Sequence, residues 1–306
     1  FEASFAGYTD TVAGGGGWET HQAQIEQMLS TKYELHIKTS TPDVSAKQIT
    51  QENKDNKYKV IVACGGDGTV NEVASALVDT GICMAIIPLG TTNALSHVLF
   101  GIQSKFTPVE TACEIILNNE FSKIDTAVCN DEAMVLVAGL GFEQRMINLA
   151  DRDKKDESGE LAYIQALATA IKQNDVHSYK VSINGEEPEL LEASSLVIAN
   201  AAPFTTILAQ GGETPDPSDG KLDLTVLDTR ESIVVPLVSL GIQKLTQKWL
   251  EDNGLKAVRH EKIHEVNIQS ADGESTLDYV LDGETRSSDR VHIKVKPSSL
   301  CVMHAA

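Results

Sequence analysis

Basic residues are scarce in this 306-residue chain: 25 lysines and arginines face 44 aspartates and glutamates, a formal net charge of −19. Binding to nucleic acid is driven by neutralising phosphates, so this balance argues against such a partner. It argues equally against standing electrostatic attachment to anionic lipid. Long apolar runs are also missing: no stretch approaches the roughly 20 residues of a helical membrane span. No basic segment followed by a hydrophobic one opens the chain, so no secretory leader is expected. The five cysteines (Cys64, Cys83, Cys113, Cys129, Cys301) form no CxxC pair. Several lie in apolar, strand-like runs, which predicts reduced, buried thiols in a cytoplasmic protein. The eight histidines show no HExxH or other metal spacing. A GxxxxGK[ST] loop is lacking, which removes the P-loop route to nucleotide phosphates, and the HRD and DFG pair is lacking too.

What is present centres on Tyr58 to Val73. Val60, Ile61 and Val62 read as a buried strand that ends at Cys64; Gly65, Gly66 and Gly68 form a turn, and Asn71 to Val78 reads as a helix. A strand that turns through glycines into a helix start presents backbone N–H groups and a positive dipole end to an anion. Glycine suits the turn because a Cβ would block close approach of phosphate oxygens and forbid positive φ. Asp67 is the informative residue. A carboxylate in a phosphate cradle repels its ligand unless a cation, or a hydroxyl proton to be removed, stands between them. Met84 to Ser96 repeats the pattern one βα unit later: an apolar strand, Pro88, then Gly90-Thr91-Thr92-Asn93 leading into a helix from about Ala94. Open α/β sheets place ligands at such carboxyl ends of successive strands.

GGDGTVNEV followed by PLGTTNALSH resembles the catalytic domain of the diacylglycerol kinase, sphingosine kinase and bacterial lipid kinase superfamily, which is related to the NAD kinases. Val280-Leu281-Asp282-Gly283-Glu284 resembles that family's DGE motif, so three ordered motifs cover most of the chain. The resemblance implies an α/β, Rossmann-like nucleotide-binding domain over residues 1–125. A C-terminal β-sandwich with inserted helices would follow over 126–306, its last strand returning to the first domain. It implies ATP with Mg²⁺ and transfer of the γ-phosphate to a lipid hydroxyl in a cleft between the domains. The nucleotide residues would be Ser40, Gly65, Gly66, Asp67, Gly68, Thr69, Asn71, Glu72, Gly90, Thr91, Thr92 and Asn93. Asp67, Asp125, Asp282 and Glu284 would be catalytic, with Asp67 and Asp125 holding the cation directly or through water. Either Asp67 or Glu284 would accept the hydroxyl proton. Glu143, in Ala138-Gly-Leu-Gly-Phe-Glu143, would face the acceptor, with a longer reach than the family's aspartate. Asp216, Asp219 and the Lys221 carbonyl resemble the family's structural Mg²⁺ loop, a plain Asx-turn being the alternative. The lipid would be met transiently at a membrane surface by an otherwise cytoplasmic, peripheral protein, and homodimerisation stays open.

The N-terminus fits least well: Asp10-Thr11 stands where the family has Asn-Pro, Phe1 to Thr9 makes a poor strand, and Gly14 to Gly17 reads as a phosphate loop or a flexible one. Ser40, or its neighbours Thr39 and Thr41, would supply a hydroxyl to the nucleotide or cap a helix from about Val44. The second half alternates like strands at 133–140, 179–183, 194–200, 222–227, 263–269 and 276–281, divided by Asn184-Gly185, Asp272-Gly273 and Asp282-Gly283. Helical patterns interrupt it at 161–172 and 232–250, the latter reading as core or as the lining of an acyl channel. Arg152, Lys154 and Lys155 lie in a charged run that reads as solvated loop or as a contact for phosphates. Two other activities stay open: an NAD kinase-like enzyme, because GGDGT is shared, and a catalytically silent lipid-binding regulator.

Overall fold

A computed structural model describes residues 4–10, 17–54, 58, 60–90, 93–100, 108–141, 176–202, 216–227 and 258–305. The chain divides into two units: Phe1–Thr126 with Pro217–Asp219 and Lys296–Ala306, and Ala127–Asp216 with Gly220–Val295. Among the described residues no helix is long and apolar enough to cross a membrane.

The first unit is α/β. Strands β1 (Ser4–Asp10), β2 (Glu34–Ser40), β3 (Val60–Gly65) and β4 (Cys83–Pro88) alternate with helices α1 (Gly17–Leu29), α2 (Ala46–Asn53) and α3 (Asp67–Leu77), and α4 (Ala94–Phe100) and α5 (Pro108–Asn118) follow. The four strands pair in parallel in the order β2-β1-β3-β4. All six residues of β3 are buried, and five of β4, the mark of a parallel sheet covered on both faces. Ser45 caps α2 by accepting the Gln48 N–H, so the cap lies five residues beyond Ser40.

The structure departs from three local expectations. The segment that reads as a poor strand forms β1, paired on both sides; partners at both edges override weak propensity. Helix α3 begins at Asp67 rather than Asn71, so the glycine turn is itself the first turn of the helix. Cys83 and Cys301 are not free thiols: they form a disulfide across 218 residues. Parallel pairing sets these two cysteines side by side on β4 and β16 (Arg290–Met303). Cys64, Cys113 and Cys129 are free and buried, and burial pushes the Cys113 and Cys129 thiols up to about 11 and about 12.

The second unit is a β-sandwich. One sheet runs β12-β11-β10-β7-β14-β15, from strands Val258–Ile263, Leu222–Leu227, Ser195–Ala199, Val137–Gly141, Leu277–Leu281 and Glu284–Ser288. The other takes β13 (Glu265–Ser270), β8 (His177–Ile183) and β9 (Glu189–Ala193), with the first half of β16 antiparallel to β13. Alternate residues meet in one core: Leu196 and Ile198, Leu222 and Leu224, Val266 and Ile268, Val291 and Ile293 are all buried together. Asp282 and Gly283 both have positive φ and join β14 to β15 as a two-residue hairpin. Strand β5 (Phe121–Cys129) runs through the boundary between the units and pairs with β6 (Glu132–Met134). The helical patterns at 161–172 and 232–250, with the acyl-channel reading of the latter, lie outside the described residues.

Candidate active site

Parallel register aligns the strand ends of the first unit. Ser40 stands beside Asp10, Thr9 beside Cys64, and Gly65 beside Pro88. Each of these strands therefore delivers its following turn to the same edge of the sheet, where open α/β folds bind ligands.

The turns after β3 and β4 are fastened to each other. Leu89 donates its N–H to the Gly65 carbonyl at 2.9 Å. The Asp67 carboxylate accepts the Asn93 N–H at 3.0 Å and the Ala94 N–H at 2.6 Å, one on each oxygen. Asn93, held at φ 49°, folds its amide over Gly90: its Oδ1 accepts the Gly90 N–H at 3.0 Å and its Nδ2 donates to the Gly90 carbonyl at 2.6 Å. None of Gly65, Gly66, Gly68 and Gly90 adopts positive φ, and Gly65 and Gly90 are required instead by closeness. A Cβ on Gly90 would lie 2.6 Å from the Gly66 Cα, and one on Gly65 would lie 2.7 Å from the Thr69 hydroxyl. Gly68 differs, because among the described residues a Cβ there would meet no atom within 4 Å beyond its own helix backbone and chain neighbours. The cap residue of α3 is Gly66, which brings no side chain to cap the helix. The first N–H groups of an 11-residue helix therefore face the edge, with Gly68 uncrowded by the described residues beyond its own helix.

Other predicted residues take structural partners. Glu72 accepts the Lys47 N–H at 3.2 Å, supporting the first turn of α2. Thr69, Asn71 and Ser40 are buried. Asp125 is 1% exposed; its Oδ1 accepts the Ser298 N–H at 2.7 Å, and its own N–H donates to the Pro217 carbonyl at 2.6 Å. Asp216 is exposed, while Asp219 and Lys221 are half-buried. Among the described residues no three His, Cys, Asp or Glu side chains gather to hold a metal ion. Gly14 to Gly16 of the glycine run, Thr91, Thr92, Glu143, Arg152, Lys154 and Lys155 lie outside the described residues.

In the second unit Asp282 is enclosed by backbone. Its Oδ2 accepts the Val135 N–H at 2.7 Å, and its Oδ1 accepts those of Leu136 and Val137 at 2.8 and 2.9 Å. Burial pushes its carboxyl up to about 6, against the pull of those three bonds and with a further push from Glu284. Both its oxygens are thus committed to the chain, which makes it the residue that shapes the hairpin carrying Glu284. Glu284 is exposed and its Oε2 accepts from Arg286 Nη2 at 2.9 Å. Arg286 also makes a two-pronged bond to Glu132, Nε to Oε1 at 2.9 Å and Nη2 to Oε2 at 3.0 Å. Neither Arg286 nor Glu132 was found by motif reading. The signal was the spacing: Arg286 stands two residues after Glu284, on the same face of β15.

Residues 9–129 match the family described as "Diacylglycerol kinase catalytic domain", and residues 137–304 match "YegS C-terminal NAD kinase beta sandwich-like domain". The chain belongs to the diacylglycerol kinase and bacterial lipid kinase superfamily. An uncharacterized protein of Synechocystis sp. is 34% identical over 307 residues, covering 94% of this chain and 67% of its own length. A Pseudomonas aeruginosa protein named "Probable lipid kinase YegS-like" is 27% identical, covering 94% and 90%. The fold is shared with a diacylglycerol kinase crystal structure from Bacillus anthracis, at TM-score 0.71, 20% identity and coverage of 100% and 97%. It is also shared with an NAD kinase from Archaeoglobus fulgidus solved with ATP, at TM-score 0.54, 12% identity and coverage of 98% and 93%. The chain is thus lipid kinase-like.

Membership of this superfamily implies a divalent cation. A cage of side chains alone would need three or more His, Cys, Asp or Glu together, and no such group stands among the described residues. Mg²⁺ that travels with a nucleotide needs only one or two carboxylates besides phosphates and water. Asp67 fits that second case, since each oxygen accepts one N–H and keeps a further lone pair.

Proposed function

We propose that this protein is an ATP-dependent lipid kinase that transfers the γ-phosphoryl group to the hydroxyl of diacylglycerol, a long-chain base or a phospholipid head group. One observation carries the reading. Asp67 ties the two glycine turns together at the carboxyl edge of a parallel sheet, beside a helix start whose cap residue is a glycine and where no described residue beyond that helix crowds Gly68.

In this reading the first N–H groups of α3, with the helix dipole, hold phosphate oxygens. Gly65 and Gly90 let the two turns approach closely enough to form one rim. Asp67 keeps that rim rigid and offers its remaining lone pairs. Mg²⁺ bound with the triphosphate would be held by Asp67 and would neutralise charge on the phosphates. Glu284, by likeness to the bacterial enzymes, takes the acceptor's proton as the hydroxyl oxygen bonds to the γ-phosphorus, and the bond from that phosphorus to the β–γ bridging oxygen breaks to release ADP. Asp282 shapes the hairpin that presents it. The lipid is met transiently at a membrane surface by a protein otherwise in the cytoplasm, by apolar contact or a partner rather than by net charge.

The test is labelled ATP with mixed micelles of diacylglycerol, sphingosine or phosphatidylglycerol, the products separated by thin-layer chromatography, and with NAD as a separate acceptor. Label in one lipid supports the proposal. Label in NAD alone, or lipid binding with no transfer, overturns it.

A further inference from the structure

Arg286 has no place in the motifs, yet its side chain is spent almost wholly on one neighbourhood. Every nitrogen of the guanidinium donates: Nε and Nη2 to the two oxygens of Glu132, the same Nη2 to Glu284 Oε2, and Nη1 to the Thr285 carbonyl at 3.0 Å. A guanidinium supplies five N–H donors in one rigid plane. The pair to Glu132 fixes that plane, because a two-pronged bond to a carboxylate leaves little freedom of rotation. Once the plane is fixed, the second Nη2 proton has one direction, and Glu284 Oε2 lies along it at 2.9 Å.

The arrangement solves a problem that the sequence sets. Glu284 has a long, flexible side chain, 67% exposed, on the last strand of its sheet. Left to itself it would sample several rotamers and face the reacting hydroxyl only part of the time. One anchored oxygen removes most of that freedom, and Oε1 receives no hydrogen bond from the described residues. The neighbouring titratable groups are Glu132 on β6, Asp282 in the hairpin, Tyr279 on β14 and Cys129 on β5. None of these is a cation, so Arg286 alone among these neighbours offers Glu284 a positive partner.

We propose that Arg286, anchored by Glu132, is a positioning residue that holds one oxygen of the Glu284 carboxylate and leaves the other to receive the acceptor's proton. This rests on the lipid kinase reading above and on Glu284 as the proton acceptor in it. The clamp depends on a residue outside the Asp-Gly-Glu motif and on a second carboxylate 154 residues away.

The experiment uses the full chain with ATP, Mg²⁺ and mixed micelles of whichever of diacylglycerol, sphingosine or phosphatidylglycerol accepts label. Arg286→Ala, Arg286→Lys, Glu132→Gln and Glu284→Gln are compared for kcat, for KM of ATP and of lipid, and for thermal melting. Misplacement of a reacting group by about 1 Å can cost roughly a hundredfold, so Arg286→Ala should lower kcat by about ten- to a hundredfold with both KM values kept. Glu132→Gln should give a smaller fall in the same direction. Arg286→Lys should fall between Ala and wild type, since it keeps the charge and loses the fork. If Glu284→Gln is inactive while Arg286→Ala and Glu132→Gln keep wild-type kcat, the clamp is rejected and the kinase reading stands. If Glu284→Gln transfers phosphate normally, or wild type labels no lipid, the underlying reading is what fails. Should Arg286→Ala not fold, Glu132→Gln decides alone.

Discussion

Asp67 gives one carboxylate oxygen to the Ala94 N–H at 2.6 Å, joining the start of α3 to the start of α4 across 27 residues of sequence. The residue that the motif marks for chemistry is therefore also a structural clasp. Asp67→Ala should abolish phosphate transfer, because it removes the carboxylate that would hold the nucleotide's cation and that ties the two turns into one rim. It should also cost about 1.5–3 kcal/mol of stability, because two N–H groups lose a charged acceptor. Urea denaturation and the labelled-ATP assay separate the effects. Turnover close to wild type would reject the role.

Two glycines of the rim should behave in opposite ways. Gly90→Ala sets a methyl 2.6 Å from the Gly66 Cα, so the turns must part. A loss of about 1–3 kcal/mol is expected. Gly68→Ala meets no described residue within 4 Å beyond its own helix backbone and chain neighbours, and it lies in a helix, where Ala is favoured by up to about 1 kcal/mol. Its melting temperature should hold or rise while ATP affinity by calorimetry falls. Unchanged ATP affinity in Gly68→Ala would place the phosphates elsewhere.

Asp282 predicts a pH window. Its folded carboxyl is raised from 3.8 to about 6, so the folded state keeps its proton after the unfolded chain has lost it. Its contribution to stability is complete below about pH 4 and fades as pH rises through 6, by at most about 3 kcal/mol. Denaturation measured every half unit from pH 4 to 7 should show that decline in wild type and a flatter course in Asp282→Asn. A wild-type contribution that rises with pH across the window would contradict the assignment.

The Cys83–Cys301 bond closes most of the chain into one loop. Reduction, or a Cys83→Ser/Cys301→Ser double variant, should cost about 2–5 kcal/mol. Melting with and without a reductant should differ in wild type and coincide in the double variant. Equal melting of wild type in both conditions would show that the bond adds nothing to stability.

Some of this organisation is legible from neighbouring residues alone. The buried run before Gly65, the Pro88 turn and the two-residue Asp282-Gly283 hairpin follow from apolar period and from residues that tolerate positive φ. Such features are settled within a few residues, by backbone sterics and side-chain size. The helix start at Asp67, by contrast, depends on what accepts and donates around it. So does β1, which has little strand propensity and exists because β2 and β3 pair with it.

By itself the sequence determined the motifs, their order, the alternation of the sandwich strands and the family. Tertiary structure alone decided which partners those motifs acquire: Ala94 for Asp67, Ser298 for Asp125, the Val135–Val137 backbone for Asp282, Glu132 for Arg286 and Cys301 for Cys83. The reason is physical. A carboxylate's preferred donor, or a thiol's mate, leaves no mark on neighbouring residues when it arrives from 27, 154 or 218 positions away. Strand register brings it there.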